Sequence, residues 1–144
     1  MDIQVAFAVN LSNSFEPKHF GDANKYLIYK YTDSEFVFLK EEINRFKNSD
    51  ENETYGSQKK GRAIIGFLKE TGVQVLVSKQ FGKNIQMVNK HFIPIIIKSE
   101  KPDEVISMLK KNIKWIEDEL NNKPEEYKLF NIKNGVLKTI IKKE

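Results

Sequence analysis

The chain contains no cysteine among its 144 residues. It therefore forms no disulfide, carries no thiolate nucleophile and offers no cysteine ligand to zinc or to an iron–sulfur cluster. Histidine is also scarce, because the only two imidazoles are those of His19 and His91. Two scattered histidines do not make a three-ligand zinc site without carboxylates, and no spacing of Ser, His and Asp suggests a catalytic triad. The composition thus disfavours hydrolase chemistry.

Long apolar runs and a strong excess of one charge are lacking as well. No run approaches the roughly 20 apolar residues that a membrane helix needs, and the chain opens with Asp2 instead of a basic signal region. We therefore expect a cytoplasmic protein without membrane contact. The net charge is only +4, and six lysines against three glutamates from Lys123 onward carry most of it. Such a distribution disfavours nucleic-acid binding, which needs a phosphate-neutralising stripe.

The first half of the chain predicts three strands. Residues 3–9 are almost continuously apolar and β-prone, which is typical of a strand covered on both faces. Residues 25–32 and 35–44 are rich in aromatic and β-branched side chains and are separated only by Asp33 and Ser34. This pattern predicts an antiparallel hairpin with a tight turn.

The middle of the chain predicts helices that alternate with strands. Residues 47–55 are polar and acidic, which predicts a mobile connection. A helix that ends at Gly72 follows, and then two buried strands at residues 73–77 and 92–97 enclose a short helix near residues 83–90. A strand, a helix and a strand with short links imply parallel pairing.

A long helix and a second hairpin complete the chain. Apolar residues recur every three or four positions after Pro102, which predicts one helix that lies on the sheet. Asn134 and Gly135 are the strongest hairpin signal, for a type I′ turn that sets Ile132 opposite Leu137. An isolated two-stranded ribbon is marginal in water, so its apolar face must rest on the body of the protein or on another subunit.

The histidine at position 19 is the first candidate for a functional residue. The segment His19-Phe20-Gly21 follows the loop that leaves the first strand, and such loops are where open α/β sheets bind ligands. A neutral imidazole is a good metal ligand, so His19 is a candidate metal-binding residue. A lone histidine nevertheless caps or packs more often than it binds a metal. For His91, between a predicted helix end and a strand, we favour the capping interpretation.

Positive charge gathers at two predicted helix starts. Cations beside the unpaired amides of a helix N-terminus form an anion site, and solvated lysines on exposed turns are an equally good interpretation. The residues concerned are Lys59, Lys60 and Arg62 at the first helix start, and Gly82, Lys83 and Asn84 at the second.

Three stretches of sequence carry a resemblance to a known family. They are IQVAFAV followed by HFGDANKYLIY, then GRAIIGFLKETGVQVLVSKQFGKNIQMV, and then HFIPIII. Over about residues 2–120 the chain resembles the dinitrogenase iron–molybdenum cofactor biosynthesis family, the small domain shared by NifX-type, NafY-type and NifB C-terminal proteins. The segment His19-Phe20-Gly21 is the most specific part of the match.

The resemblance implies an α/β fold with a ribonuclease H-like motif and no nuclease chemistry. It implies a mixed five-stranded sheet flanked by helices, in which strands two and three form an antiparallel edge and strands one, four and five are parallel. Residues 1–121 would form the family domain, and residues 122–144 a C-terminal extension with the β-hairpin.

The resemblance also implies a function. The protein would be a non-catalytic binding or carrier protein for an iron–sulfur or iron–molybdenum cofactor precursor or a related metal cluster, and its partners would be cluster donor or acceptor proteins. His19 would correspond to the cofactor-contacting histidine of the family. Phe81, Gly82, Lys83 and Asn84 would correspond to its second glycine loop.

A second hypothesis belongs to a different class of function. The chain could have kept the fold without the cofactor and act as an interaction or regulatory module, through the C-terminal hairpin or an edge strand, with a homo-oligomer among the outcomes. RNA or DNA binding by analogy with the ribonuclease H architecture rests on the fold alone.

Overall fold

The computed structural model describes residues 2–47, 56–133 and 135–139, with the backbone alone for residues 56–59. The strands are β1 (Ile3–Val9), β2 (Lys25–Thr32), β3 (Glu35–Ile43), β4 (Val75–Ser78), β5 (Ile93–Ile96), β6 (Phe130–Lys133) and β7 (Val136–Thr139). The helices are α1 (Gly56–Glu70), α2 (Ile85–Val88), α3 (Pro102–Lys111) and α4 (Ile113–Asn122). Short 3₁₀ turns occupy Phe20–Asp22 and Gly82–Asn84.

The strands form one mixed sheet in the order β3-β2-β1-β4-β5-β6-β7. β1 is antiparallel to β2 on one side and parallel to β4 on the other. Every residue from Val5 to Val9 is fully buried, as the continuous apolar run predicts. Val5 and Phe7 pack in the core on one face of the sheet, and Ala6 and Ala8 pack in the core on the other face.

The β2–β3 hairpin follows the sequence prediction. Asp33 and Ser34 both have positive φ, 50° and 66°, so the two-residue link is a type I′ turn that matches the twist of the strands. Beyond the turn the rings of Tyr29 and Phe38 lie 5.4 Å apart between their centroids. β3 is the edge strand at this side of the sheet.

Helices cover both faces of the sheet. α1 and α2 contribute to one core with Ile64, Leu68 and Val88, whereas α3 and α4 contribute to the other. α1 ends where the glycine at position 72 predicts. Gly72 has φ +88°. Its amide donates to the carbonyl of Lys69, and the amide of Val73 donates to the carbonyl of Leu68. This pair of bonds is a Schellman motif, which satisfies the last carbonyls of the helix.

The prediction of a five-stranded sheet is wrong, because the sheet formed by the described residues has seven strands. β6 pairs in parallel with β5, and β7 pairs antiparallel with β6 in the predicted register, with Ile132 opposite Leu137. Both side chains are buried in the core that also contains Val5 and Phe7. The apolar face of the hairpin therefore rests on the body of the protein. The pattern around a turn reports local pairing, and it carries no information on which sheet edge receives the hairpin.

The helix predicted from Pro102 is two helices. It breaks at Asn112, which has φ −112° and ψ 16°. The Asn112 side chain donates from Nδ2 to the carbonyls of Met108 at 2.8 Å and Gly135 at 3.0 Å. An asparagine that bonds to neighbouring backbone competes with helical pairing, which explains the break.

Some predictions lie outside the described residues: the polar connection over residues 48–55, the side chain of Lys59, and Asn134 of the second turn. No helix of the described ranges has the length and apolar content that crossing a bilayer requires. The ribonuclease H-like motif and the division at residue 121 stay predictions.

Candidate functional site

The site lies where two neighbouring parallel strands end. From the end of β1 the chain passes toward β2, and from the end of β4 it passes to β5 on the other side. Neighbouring parallel strands whose connections diverge leave a crevice at their carboxyl ends, which is where open α/β sheets bind ligands. The two loops meet there, because His19 bridges to Gln80 and the amide of Phe20 donates to the Gln80 carbonyl at 3.0 Å.

His19 caps the 3₁₀ turn that follows it. Its Nδ1 accepts a hydrogen bond from the amide of Gly21 at 2.9 Å. A backbone N–H only donates, so Nδ1 carries no proton, and the proton of the neutral imidazole is on Nε2. The capping role that the sequence left open is therefore one role of this residue.

The other side of the ring contacts the loop after β4. His19 Nε2 lies 3.2 Å from Nδ2 of Asn84, and the ring centroid lies 4.5 Å from that of Phe20. Gly82 has φ +60°, and a Cβ built there would lie 2.7 Å from His19 Cδ2. Gly61 of α1 is similar, because its Cβ would lie 2.8 Å from the Asn84 amide nitrogen. Because glycine has no Cβ, Gly82 leaves room for the imidazole of His19, and Gly61 leaves room for the side-chain amide of Asn84.

An ion pair lies beside the histidine. Lys60 of α1 donates to Asp22 Oδ1 at 2.9 Å and to the carbonyl of Lys47 at 3.1 Å. Burial lowers the pKa of His19, and Lys60 lowers it further, while Asp22 and a hydrogen bond to the Phe81 carbonyl act in the opposite direction. Burial is the largest of these effects, so the imidazole is neutral at neutral pH.

Two residues that the sequence does not predict stabilise the 3₁₀ turn after β1 through hydrogen bonds to its carbonyl groups. The buried Asn44 donates from Nδ2 to the carbonyls of Gly21 at 3.0 Å and Ala23 at 2.9 Å. The fully buried Tyr26 donates its hydroxyl to the Phe20 carbonyl at 2.9 Å. Neither side chain is predicted by the sequence beyond its place in a strand pattern, because each hydrogen bond depends on how its strand packs against the turn.

The structure brings together six of the nine predicted site residues. His19, Phe20, Gly21, Lys60, Gly82 and Asn84 lie together around the crevice. Lys83 is exposed on the adjoining turn, and Arg62 lines a different groove, between α1 and α2. The side chain of Lys59 lies outside the described residues.

The donor set does not make a complete metal centre. Within residues 2–47, 56–133 and 135–139, no three His, Cys, Asp or Glu side chains come together in a group that could hold a metal ion.

The fold is thus an open mixed α/β sheet, a class in which ligands bind where the loops of two diverging parallel strands meet. The family model described as dinitrogenase iron-molybdenum cofactor matches residues 1–112, and the chain belongs to that family. Membership links the protein to the biosynthesis or binding of this cofactor. No curated protein matches the chain.

Proposed function

We propose that this protein is a non-catalytic carrier that receives an iron–sulfur or iron–molybdenum cofactor precursor as cargo at the crevice between β1 and β4. The observation that carries the proposal is the meeting of His19 with the glycine loop around Gly82 at that crevice, in a chain that belongs to the cofactor family. Its partners would be the proteins that supply and take up the cluster.

The chemistry of the crevice suits a cluster that arrives assembled. A sulfide-rich cluster is anionic and has most metal positions filled, so it needs one or two protein ligands and compensating positive charge. A neutral imidazole binds a metal only through its unprotonated nitrogen. Binding through His19 Nε2, which faces the loop after β4, would therefore move the ring proton to Nδ1 and break both the hydrogen bond from the Gly21 amide and the contact with Asn84. The exposed Lys83 would supply positive charge, whereas the charge of Lys60 is already paired with Asp22.

The test is anaerobic reconstitution with iron and sulfide, followed by gel filtration, metal analysis and absorption spectra. His19→Asn is the test variant, since asparagine can still cap the turn. His91→Asn removes the only other imidazole and is the matched control. We expect wild type and His91→Asn to retain iron with the absorption of a sulfide cluster. His19→Asn should retain about tenfold less, the effect of losing about 1.4 kcal/mol of binding free energy.

Two results count against the proposal. Equal iron in wild type and His19→Asn removes the ligand role of His19. Wild type that retains no iron at all favours the second hypothesis, a module of the same fold that acts through protein contacts alone.

A further inference from the structure

A second concave surface lies between α1 and α2, apart from the crevice at His19. It is a groove of about 370 Å³, and we call it the α1–α2 groove. Its lining residues are Arg62, Ile65, Gly66, Lys69, Met87, Lys90 and His91. The four that come from α1 follow the spacing of one helical face, at i, i+3, i+4 and i+7, so they form a continuous wall.

The floor of the groove is apolar and has room for another side chain. Ile65 is buried and Met87 is partly buried, and both belong to the core under this face of the sheet. Gly66 lies on the exposed surface of α1, and a Cβ added there meets no heavy atom within 4 Å. The groove is therefore open beside Gly66, and we call this open space the gap at Gly66.

The rim of the groove is positively charged. Arg62 and Lys69 on one wall and Lys90 on the other are exposed, and no described carboxylate forms an ion pair with any of them. Lys69 donates to Nδ1 of the exposed His91 at 3.3 Å, so the imidazole is neutral there. His91 thus contacts a lysine of α1 through its ring, where the sequence predicted a helix cap. Two ammonium groups and a guanidinium around an apolar floor favour an acidic occupant.

We propose that the α1–α2 groove is a docking site for an acidic amphipathic helix of a partner protein, with an apolar side chain in the gap at Gly66 and carboxylates toward Arg62, Lys69 and Lys90. A helix fits better than a small molecule, because the exposed rim leaves one side of the groove open, whereas small ligands need most of their surface buried. A helix needs only one face buried, as in known helix-in-groove complexes. The proposal does not depend on the cargo, so it is tested on the protein without any cluster.

The probe is a synthetic helical peptide of about 15 residues, the length at which isolated helices begin to be stable. Leucines form one face, and glutamates flank that face on both sides. The control peptide has lysine in place of every glutamate. Binding is measured by fluorescence anisotropy of the labelled peptide, and the site is located by ¹⁵N chemical shifts with the Gly66 amide as the central reporter.

Three variants should weaken binding of the acidic peptide about tenfold or more: Lys69→Glu, Lys90→Glu and Gly66→Leu. The first two reverse the charge of opposite walls. The third places a leucine side chain in the gap, where an added Cβ meets no heavy atom within 4 Å. Lys114→Glu, on the exposed surface of α4, makes the same charge change elsewhere and should bind as wild type does. Thermal unfolding of each variant checks that the fold is kept.

Several results overturn the proposal. They are no binding of the acidic peptide to wild type, equal binding of the lysine peptide, equal loss in Lys114→Glu, or shifts that map away from Gly66. Shifts at Gly66 with octanoate but not with the peptide would assign the groove to a small amphiphilic anion instead. Loss of iron retention in His19→Asn with unchanged peptide binding would separate this docking site from the proposed carrier function.

Discussion

At the scale of the residue, His19 shows how a single side chain serves two loops. Nδ1 fixes the turn after β1, and Nε2 faces the turn after β4, so the ring connects the two loops that form the crevice. Both nitrogens are engaged, and the ring is partly buried. The histidine therefore holds the two loops together.

The pKa of His19 should respond in opposite directions to the two neighbouring charges. Lys60 lowers this pKa and Asp22 raises it. We expect Lys60→Met to raise the pKa and Asp22→Asn to lower it further. The measurement is a proton NMR titration of the imidazole resonances, with His91→Asn used to assign the two signals. Shifts of the same sign in both variants would show that loss of the ion pair rearranges the turn.

The lowered pKa also sets the sign of the pH dependence of stability. A histidine with a lower pKa in the folded protein is protonated first in the unfolded chain, which therefore binds more protons in that interval. The contribution of His19 is present above the unfolded value near 6.5 and is lost as pH falls through the lowered folded value. Urea titrations of wild type and His19→Asn between about pH 7 and pH 5 should show a steeper loss in wild type.

At the scale of the element, Asn112 connects the α3–α4 pair to the C-terminal hairpin. Its Nδ2 bonds to Gly135, and its Oδ1 accepts from the amide of Leu137 at 3.4 Å. One side chain thus ends a helix and positions the β6–β7 turn that packs beside it.

Asn112→Ala should therefore weaken the hairpin more than the rest of the sheet. Removal of the amide leaves the buried N–H of Leu137 and the partly buried carbonyls of Met108 and Gly135 without this partner, at a cost of about 1–3 kcal/mol. Denaturant unfolding gives the total loss, and hydrogen exchange at the Leu137 amide gives the local one. Unchanged exchange at Leu137 would contradict the anchoring role. Asn121→Ala, exposed near the end of α4, is the control.

At the scale of the whole molecule, the C-terminal hairpin belongs to the same core as the family-matched segment. Phe130, Ile132 and Leu137 are buried in the cluster that includes Val105 and Leu109. The family model ends at residue 112, so these contacts join matched and unmatched parts of the chain.

Leu137→Ala should consequently lower the free energy of unfolding of the whole protein by about 2–5 kcal/mol, the usual cost of such a cavity. Val136→Ala is the neighbouring control, since Val136 is 49% exposed and should change stability by about 0.5 kcal/mol or less. Chemical denaturation followed by circular dichroism measures both. Equal effects of the two substitutions would mean that the hairpin does not rest on the body of the protein.

The sequence predicted strands, turns and helix ends correctly where they depend on residues that are close together in the chain. The bounds of β1 and β2, the turn at Asp33 and Ser34, the end of α1 at Gly72 and the register of β6 with β7 follow from side-chain periodicity and from residues that tolerate positive φ. The expected clustering of His19 with the loop of Gly82 followed from the predicted topology, in which both helix starts open on the same rim of the sheet as His19, and the family resemblance implied it as well.

The amino-acid sequence by itself determined which segments are strands and helices, because burial patterns and turn residues act within a few positions of the chain. Tertiary structure alone decided that β6 joins β5, that Asn112 divides a helix, and that Arg62 lies in the α1–α2 groove apart from His19. It also decided that Asn44 and Tyr26 support the turn after β1. The physical reason is that hydrogen bonds and packing between distant segments depend on how whole elements are placed against one another, and local sequence patterns do not encode that placement.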